Sequence, residues 1–227
     1  MPVGGFKGQL IASCQPVIGG PMDKPEIVTA LALACLDGGA AALRIEGIAN
    51  VKAVRAATNA PIIGLVKRDL DDSPVRITPW LQDVKDLAQA GATIIAFDAT
   101  ERTRPIPVSE LVRATHGEGA LVMADCSAFA EGAQAAELGA DLIGTTLAGY
   151  TGGAEPSKPN IDLVSDLARI SPFVIAEGCY RTPEQSAQAI SAGAYAVVVG
   201  SAITRTEHVT DWFATAVKDA ATQRGEE

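Results

Sequence analysis

The chain is short of the groups that metal and redox proteins are usually built on. Its four cysteines, Cys14, Cys35, Cys126 and Cys179, are scattered without a C-x-x-C pair, and neither of its two histidines stands at a ligand spacing. That pattern indicates neither a zinc site nor a disulfide framework, and it fits a reducing cytoplasm. Positive charge is also in deficit: 18 basic against 27 acidic side chains leave a formal charge of −9. Nonspecific binding to nucleic acid or to an anionic membrane is therefore not expected. Long apolar runs are missing as well. Near the N-terminus only Leu10 to Ala12 is apolar, too short for a signal-peptide core or a membrane span, so the mature chain is expected to be the encoded one. No G-x-G-x-x-G follows that first run, which weakens a dinucleotide-binding reading.

What is abundant is apolar residue in short parcels. Of 227 residues 48% are apolar and 20% charged, enough for one continuous core, and residues 1–227 are expected to form a single domain. Strands are expected at Leu10 to Ala12, Ala41 to Glu46, Pro61 to Lys67, Thr93 to Asp98, Leu121 to Asp125, Leu142 to Leu147, Phe173 to Glu177 and Ala196 to Gly200. Helices are expected between them: Lys24 to Asp37, Ala49 to Thr58, Thr78 to Ala90, Pro107 to His116, Ala128 to Leu138, Ile161 to Ile170 and Pro183 to Ala192, with His208 to Gln223 closing the chain. Gly39-Ala40, Gly91-Ala92, Gly139-Ala140 and Gly193-Ala194 each end a helix ahead of an apolar run, an internal echo at about two βα units. Eight strands alternating with eight helices at this length predict a (β/α)₈ barrel of the TIM type.

In that fold the active site assembles at the C-terminal ends of the strands. Gln15, Arg44, Lys67, Asp98, Asp125, Thr145, Thr146 and Glu177 are the polar residues expected there. Lys67, ending the run Ile62 to Val66, reads on its own as a solvated strand exit; its convergence with several carboxylates on one mouth supplies an acid and base pair. The last two turns suggest an anion site. Glu177-Gly178 and Gly200-Ser201 put glycine where backbone N–H groups approach a phosphate, a short helix from Ser201 adds its positive end, and Arg205 adds a formal charge. Gly149 to Asn160, rich in Gly and Pro, is expected to be a mobile flap that brings Tyr150 and Thr151 near a ligand. His116 and His208 read as surface and helix-start residues, and Trp212 and Phe213 as core or subunit-interface residues. The run Asp69, Asp71, Asp72 and Ser73 reads as an ordered loop that sets the lysine's environment through Arg68 and Arg76, not as a metal cage.

Seven segments taken together are more specific than any of these. SCQP (Ser13 to Pro16), DKPEIV (Asp23 to Val28), LRIEGIAN (Leu43 to Asn50), VKRDLDDSPVRITP (Val66 to Pro79), IGTTLAGYT (Ile143 to Thr151), IAEGCYRTPEQ (Ile175 to Gln185) and VVVGSAITR (Val197 to Arg205) resemble the bacterial N-acetylmannosamine-6-phosphate 2-epimerase family, essentially end to end. The resemblance implies a phosphate-binding barrel that inverts carbon 2 between N-acetylmannosamine 6-phosphate and N-acetylglucosamine 6-phosphate, with no metal and no other cofactor, as a homodimer. It implies Lys67 as the catalytic lysine, Glu177 as its carboxylate partner, and Gln15, Arg44 and Asp125 as the groups that hold and polarise the sugar. Where the family often carries arginine after Glu-Gly, this chain has Cys179, and Arg181 is the nearest replacement. A base role needs Lys67 partly neutral, which an apolar barrel with Arg44 or Arg68 nearby would favour. The residues alone also accommodate a lyase that forms a Schiff base on Lys67, or a non-catalytic sugar-phosphate-binding barrel.

Overall fold

Each apolar parcel becomes one strand of a closed ring. The protein is described here from a computed structural model covering residues 5–152 and 156–225. The strands are β1 (Leu10–Cys14), β2 (Ala42–Glu46), β3 (Ile62–Leu65), β4 (Ile94–Asp98), β5 (Leu121–Asp125), β6 (Leu142–Gly144), β7 (Val174–Ala176) and β8 (Ala196–Val199). All pair in parallel with their sequence neighbours, and β8 closes on β1 with Ile11 opposite Val198. The helices between them are α1 (Pro25–Asp37), α2 (Ile48–Ala57), α3 (Leu81–Ala90), α4 (Val108–Gly117), α5 (Phe129–Glu137), α6 (Ile161–Ala168) and α7 (Pro183–Ser191). A single turn, α8 (Ser201–Thr204), precedes the long α9 (Thr206–Gly225). This is the expected TIM barrel, and among the described residues no helix is long and apolar enough to cross a membrane.

Strands buried on both faces divide their side chains by the period of two. Ala12, Leu43, Ile62, Ile95, Val122 and Val197 face the helix layer. Ile11, Ile63, Leu65, Met123, Ile175 and Val198 fill the barrel interior. Continuing the inward set one step beyond this apolar plug reaches Ser13, Arg44, Lys67, Asp98, Asp125, Glu177 and Gly200. The same alternation that builds the core therefore delivers a ring of polar groups to one mouth.

The glycine echo has a structural cause. Gly39, Gly91, Gly139 and Gly193 have φ of 100°, 100°, 94° and 103°. The following alanine in each case donates its N–H to the carbonyl five residues back: Ala40 to Cys35, Ala92 to Leu87, Ala140 to Ala135 and Ala194 to Ala189. That is the terminating bond of a left-handed helix cap, which glycine adopts without steric cost. Gly119-Ala120, outside the expected set, ends α4 in the same way, with φ 75° and a bond from Ala120 to Thr115.

Three of the boundaries that differ from expectation have a cause visible in the structure. The third helix begins at Leu81, not Thr78, because Thr78 is left-handed (φ 46°) and pinned between strands: its hydroxyl accepts from Val66 N at 3.2 Å and donates to Ala96 O at 2.7 Å. The third strand stops at Leu65, and Lys67 instead forms an isolated antiparallel bridge with Ile77. The residues between, 68–76, fold back as an ordered loop closed by Arg68 N to Arg76 O at 2.9 Å. The sixth strand ends at Gly144, since Thr145 to Ala148 form a turn closed by Ala148 N to Thr145 O.

Candidate active site

A buried guanidinium organises the mouth. Arg44 on β2 is 1% exposed and donates from Nη1 and Nη2 to Asp125 Oδ1 and Oδ2, at 3.2 and 2.7 Å, across to β5. Its Nε lies 3.2 Å from Glu177 Oε1, after β7, but off the direction of a hydrogen bond. Two carboxylates thus share one cation, and their attraction outweighs the burial that opposes its charge, holding Arg44 firmly protonated. Gly144 makes room for this arrangement. A Cβ there would stand 2.6 Å from Met123 Cε and 3.0 Å from Asp125 Oδ1, displacing the two groups that grip Arg44.

Glu177 is positioned by Thr145, the first residue after β6. The Thr145 hydroxyl donates to Glu177 O at 2.8 Å and accepts from Glu177 N at 3.0 Å, so the backbone of the β7 exit is locked in both directions. Burial pushes the Glu177 carboxyl up to about 7, with Arg44 pulling the other way and Asp125 adding to the rise. Lys67 is pushed in the opposite sense. Burial first, then the charges of Arg205 and Arg44, bring its ammonium down to about 8, against the pull of Glu46 and Glu177. Arg68 has no part in this. It turns away to a paired contact with Asp83 at the start of α3, while Arg76 binds Asp69 at 2.7 Å; Asp71 and Asp72 are exposed. The second cation beside Lys67 is Arg205 because its Nε donates to Gln15 O at 2.7 Å, which draws it across the mouth to the β1 exit.

Above these groups lies a cavity of about 720 Å³. Of the expected residues, Gln15, Arg44, Lys67, Tyr150, Glu177, Gly178, Gly200, Ser201 and Arg205 line it. Asp125 is fully buried beneath Arg44 and is not part of the lining, and Thr151 is exposed outside it. Gln15 is buried and its amide donates to Ser13 Oγ at 2.8 Å. Asp98 reaches the cavity but is already held by Arg102, Arg104 and Thr100. Of the flap Gly149 to Asn160, residues 153–155 lie outside the described residues. Tyr150 OH is 3.0 Å from Cys179 Sγ, and Cys179 also donates to Pro156 O at 3.0 Å, which ties that connection to the β7 exit. Gly178 and Cys179 both have positive φ, 112° and 59°, so the turn after β7 doubles back over the mouth.

The charge balance at the mouth is the reverse of the chain's. Arg44, Lys67, Arg76, Arg102, Arg181 and Arg205 line the cavity against Asp98, Glu177, Glu207 and Asp211. A local cationic surplus inside low-dielectric walls attracts an anion despite the overall charge of −9. Arg76 and Arg102 were not singled out as cavity residues from sequence, since each belongs to a long connection with no period to aim its side chain; Arg181, expected as the replacement for the arginine absent at Cys179, does reach the cavity. Arg181 is stacked on Trp212 of α9, its guanidinium carbon 4.8 Å from the ring centre.

Comparison with known proteins bears on this mouth. A family described as "Putative N-acetylmannosamine-6-phosphate epimerase" matches residues 28–219. A protein of Glaesserella parasuis named as an N-acetylmannosamine-6-phosphate 2-epimerase is 59% identical over 96% of this chain and 94% of its own. One of the same name from Haemophilus influenzae is 57% identical over 93% and 92%. The solved N-acetylmannosamine-6-phosphate 2-epimerase of Clostridium perfringens superposes with a TM-score of 0.90 at 39% identity, covering 93% of this chain and 94% of that one.

The buried pair makes a stability prediction. Asp125→Ala strands Arg44 against Glu177 alone and should cost about 3–5 kcal/mol, whereas the joint replacement Arg44→Met with Asp125→Leu should recover most of that loss. Urea denaturation of the three proteins measures both effects. Equal loss in the single and double variants would show that the pair is not what holds the interior.

Proposed function

The chain belongs to the N-acetylmannosamine-6-phosphate epimerase family, and on that premise we propose that it interconverts N-acetylmannosamine 6-phosphate and N-acetylglucosamine 6-phosphate, a step of amino-sugar and sialic acid catabolism in the cytoplasm. The observation that carries the reading is the pairing, across one cavity, of a lysine brought down to about 8 with a carboxyl brought up to about 7. Such a pair supplies a base and an acid together near neutral pH. The proton at carbon 2 is labile only beside an open-chain aldehyde. Glu177 therefore acts first, as the acid that protonates the ring oxygen while the carbon 1 hydroxyl gives up its proton to solvent, and neutral Lys67 removes the carbon 2 proton; return of a proton to the opposite face of carbon 2 and ring closure complete the inversion. The enolate oxygen that results meets Gln15 and the charge of Arg44 at the cavity floor. Gly178, Gly200, Ser201 and Arg205 hold the phosphate, and Arg181 stands at its rim in place of the arginine that Cys179 replaces. Asp125 serves by holding Arg44. No observation favours the Schiff-base or the non-catalytic reading.

The protein acts as a homodimer in this proposal. Phe213 and Val217 are 71% and 70% exposed and lie one turn apart on α9, an apolar stripe unusual for a surface left to water.

Three measurements follow. Lys67→Met should abolish deuterium incorporation at carbon 2 while inorganic phosphate still binds; retained exchange would remove Lys67 from the mechanism. The pH dependence has a worked sign. Neutral Lys67 accumulates as pH rises through about 8 and protonated Glu177 is lost as it rises through about 7, so their product climbs below 7, is level between, and falls above 8. A steady rise to pH 10 would contradict it. Sedimentation equilibrium should give a dimer that Phe213→Lys with Val217→Glu converts to monomer; a wild-type monomer at micromolar concentration would overturn the assembly.

A further inference from the structure

Thr146, one residue beyond the lock formed by Thr145, is not explained by the roles above. It lines the cavity, and its Oγ1 lies 2.6 Å from Asp125 Oδ1 and 3.1 Å from Glu177 Oε2. A hydroxyl carries one proton and cannot donate to both carboxyl groups at once. The shorter contact is in the range of a charge-assisted O–H to carboxylate bond, and Asp125 is already committed as the acceptor of both Arg44 Nη groups. The hydroxyl proton therefore points to Asp125. Glu177 Oε2 then faces a lone pair of Thr146, and the contact is attractive when Glu177 carries the proton and donates it.

From this geometry we infer that Thr146 is a positioning residue that keeps the proton of Glu177 on Oε2, so that the acid is loaded before the sugar arrives. With Glu177 protonated the trio makes two hydrogen bonds, Glu177 to Thr146 and Thr146 to Asp125. With Glu177 ionised the hydroxyl serves only one of the two carboxylates, and one bond is lost. The proton stays on the oxygen away from Arg44, since Oε1 is the atom near Nε. The charged groups facing Glu177 are Arg44 from β2, Asp125 from β5 and Lys67 from the β3 exit. None of them can donate to or accept from Oε2 as Thr146 does among the described contacts. The arrangement explains why two adjacent threonines follow β6: Thr145 fixes the backbone of Glu177, and Thr146 fixes its protonation.

The inference deepens the epimerase reading and rests on it for its purpose, but its test does not require turnover. Difference infrared spectroscopy follows the carbonyl band of the protonated carboxyl, assigned to Glu177 by its loss in Glu177→Gln. In the wild type the band should disappear with a midpoint of about 7 or above, since burial raises the carboxyl to about 7 even where a hydrogen bond donated by Thr146 would lower it. In Thr146→Val, where one hydrogen bond that favours the protonated form is gone, the midpoint should fall by about one pH unit, a tenfold smaller protonated fraction at neutral pH. Thr146→Ser should restore it, and Thr146→Cys, a weaker donor and acceptor, should fall between. If the valine protein does not fold, the cysteine variant decides. A midpoint that is unchanged, or that rises because Thr146 was donating to an ionised Glu177, overturns the inference. In turnover the valine variant should widen the level region of the pH profile on its acid side and lower it about tenfold. Loss of packing alone would scale the profile without moving its limb. Failure of the epimerase reading would leave the infrared result standing.

Discussion

One cation, Arg44, sealed inside the barrel and shared by two carboxylates, is the constraint on which the rest of the mouth depends. Burying a guanidinium costs several kcal/mol unless it is paired and hydrogen-bonded. Here Asp125 meets it in a two-pronged contact and Glu177 approaches its third nitrogen. The three residues come from β2, β5 and β7, so the interaction spans the barrel and requires the ring to be closed. Gly144 on β6 supplies the space. The same charge then acts upward. It adds to the burial that brings Lys67 down, and it opposes the burial that raises Glu177.

The division of labour follows from depth. Arg44 on the cavity floor and Asp125 beneath it make no use of solvent and set a field. The groups one layer higher, Lys67, Glu177 and Thr146, face the cavity, and in the proposed mechanism Lys67 and Glu177 exchange protons. Around the rim, Arg205 is tied to the β1 exit through Gln15 O, and Arg181 is braced by Trp212. An anionic substrate is thus drawn toward arginines by a local surplus of positive charge, while the strongly acidic exterior keeps other polyanions away. The loop 68–76, which doubles back to bridge Lys67 with Ile77, holds the lysine without adding a charge to it.

Most of the architecture was legible because it rests on local rules. Strands alternate, helices stop at Gly-Ala, and the two together produce eight βα units whose inward polar positions are countable from the sequence. Lys67, Glu177, Arg44 and Gln15 were found in this way. The parts that escaped depend on contacts between distant segments. That Thr78 is a left-handed pin and not a helix start is decided by Val66 and Ala96, on two other elements. That Arg205, and not Arg68, stands beside Lys67 is decided by a carbonyl 190 residues away in the chain. Asp125 was readable as a strand-end carboxylate, but its depth below the cavity follows from its bond to Arg44, which no spacing encodes. Arg76 and Arg102 sit in long connections, where no period assigns a direction to a side chain.

The central claim is that the barrel interior holds Lys67 poised to be neutral near physiological pH. Carbon-13 NMR of the lysine ε-carbons, with the Lys67 signal assigned by its loss in Lys67→Met, reads the titration of that one group directly. The account predicts a midpoint near 8. A midpoint near the ordinary lysine value of about 10.5 would contradict it.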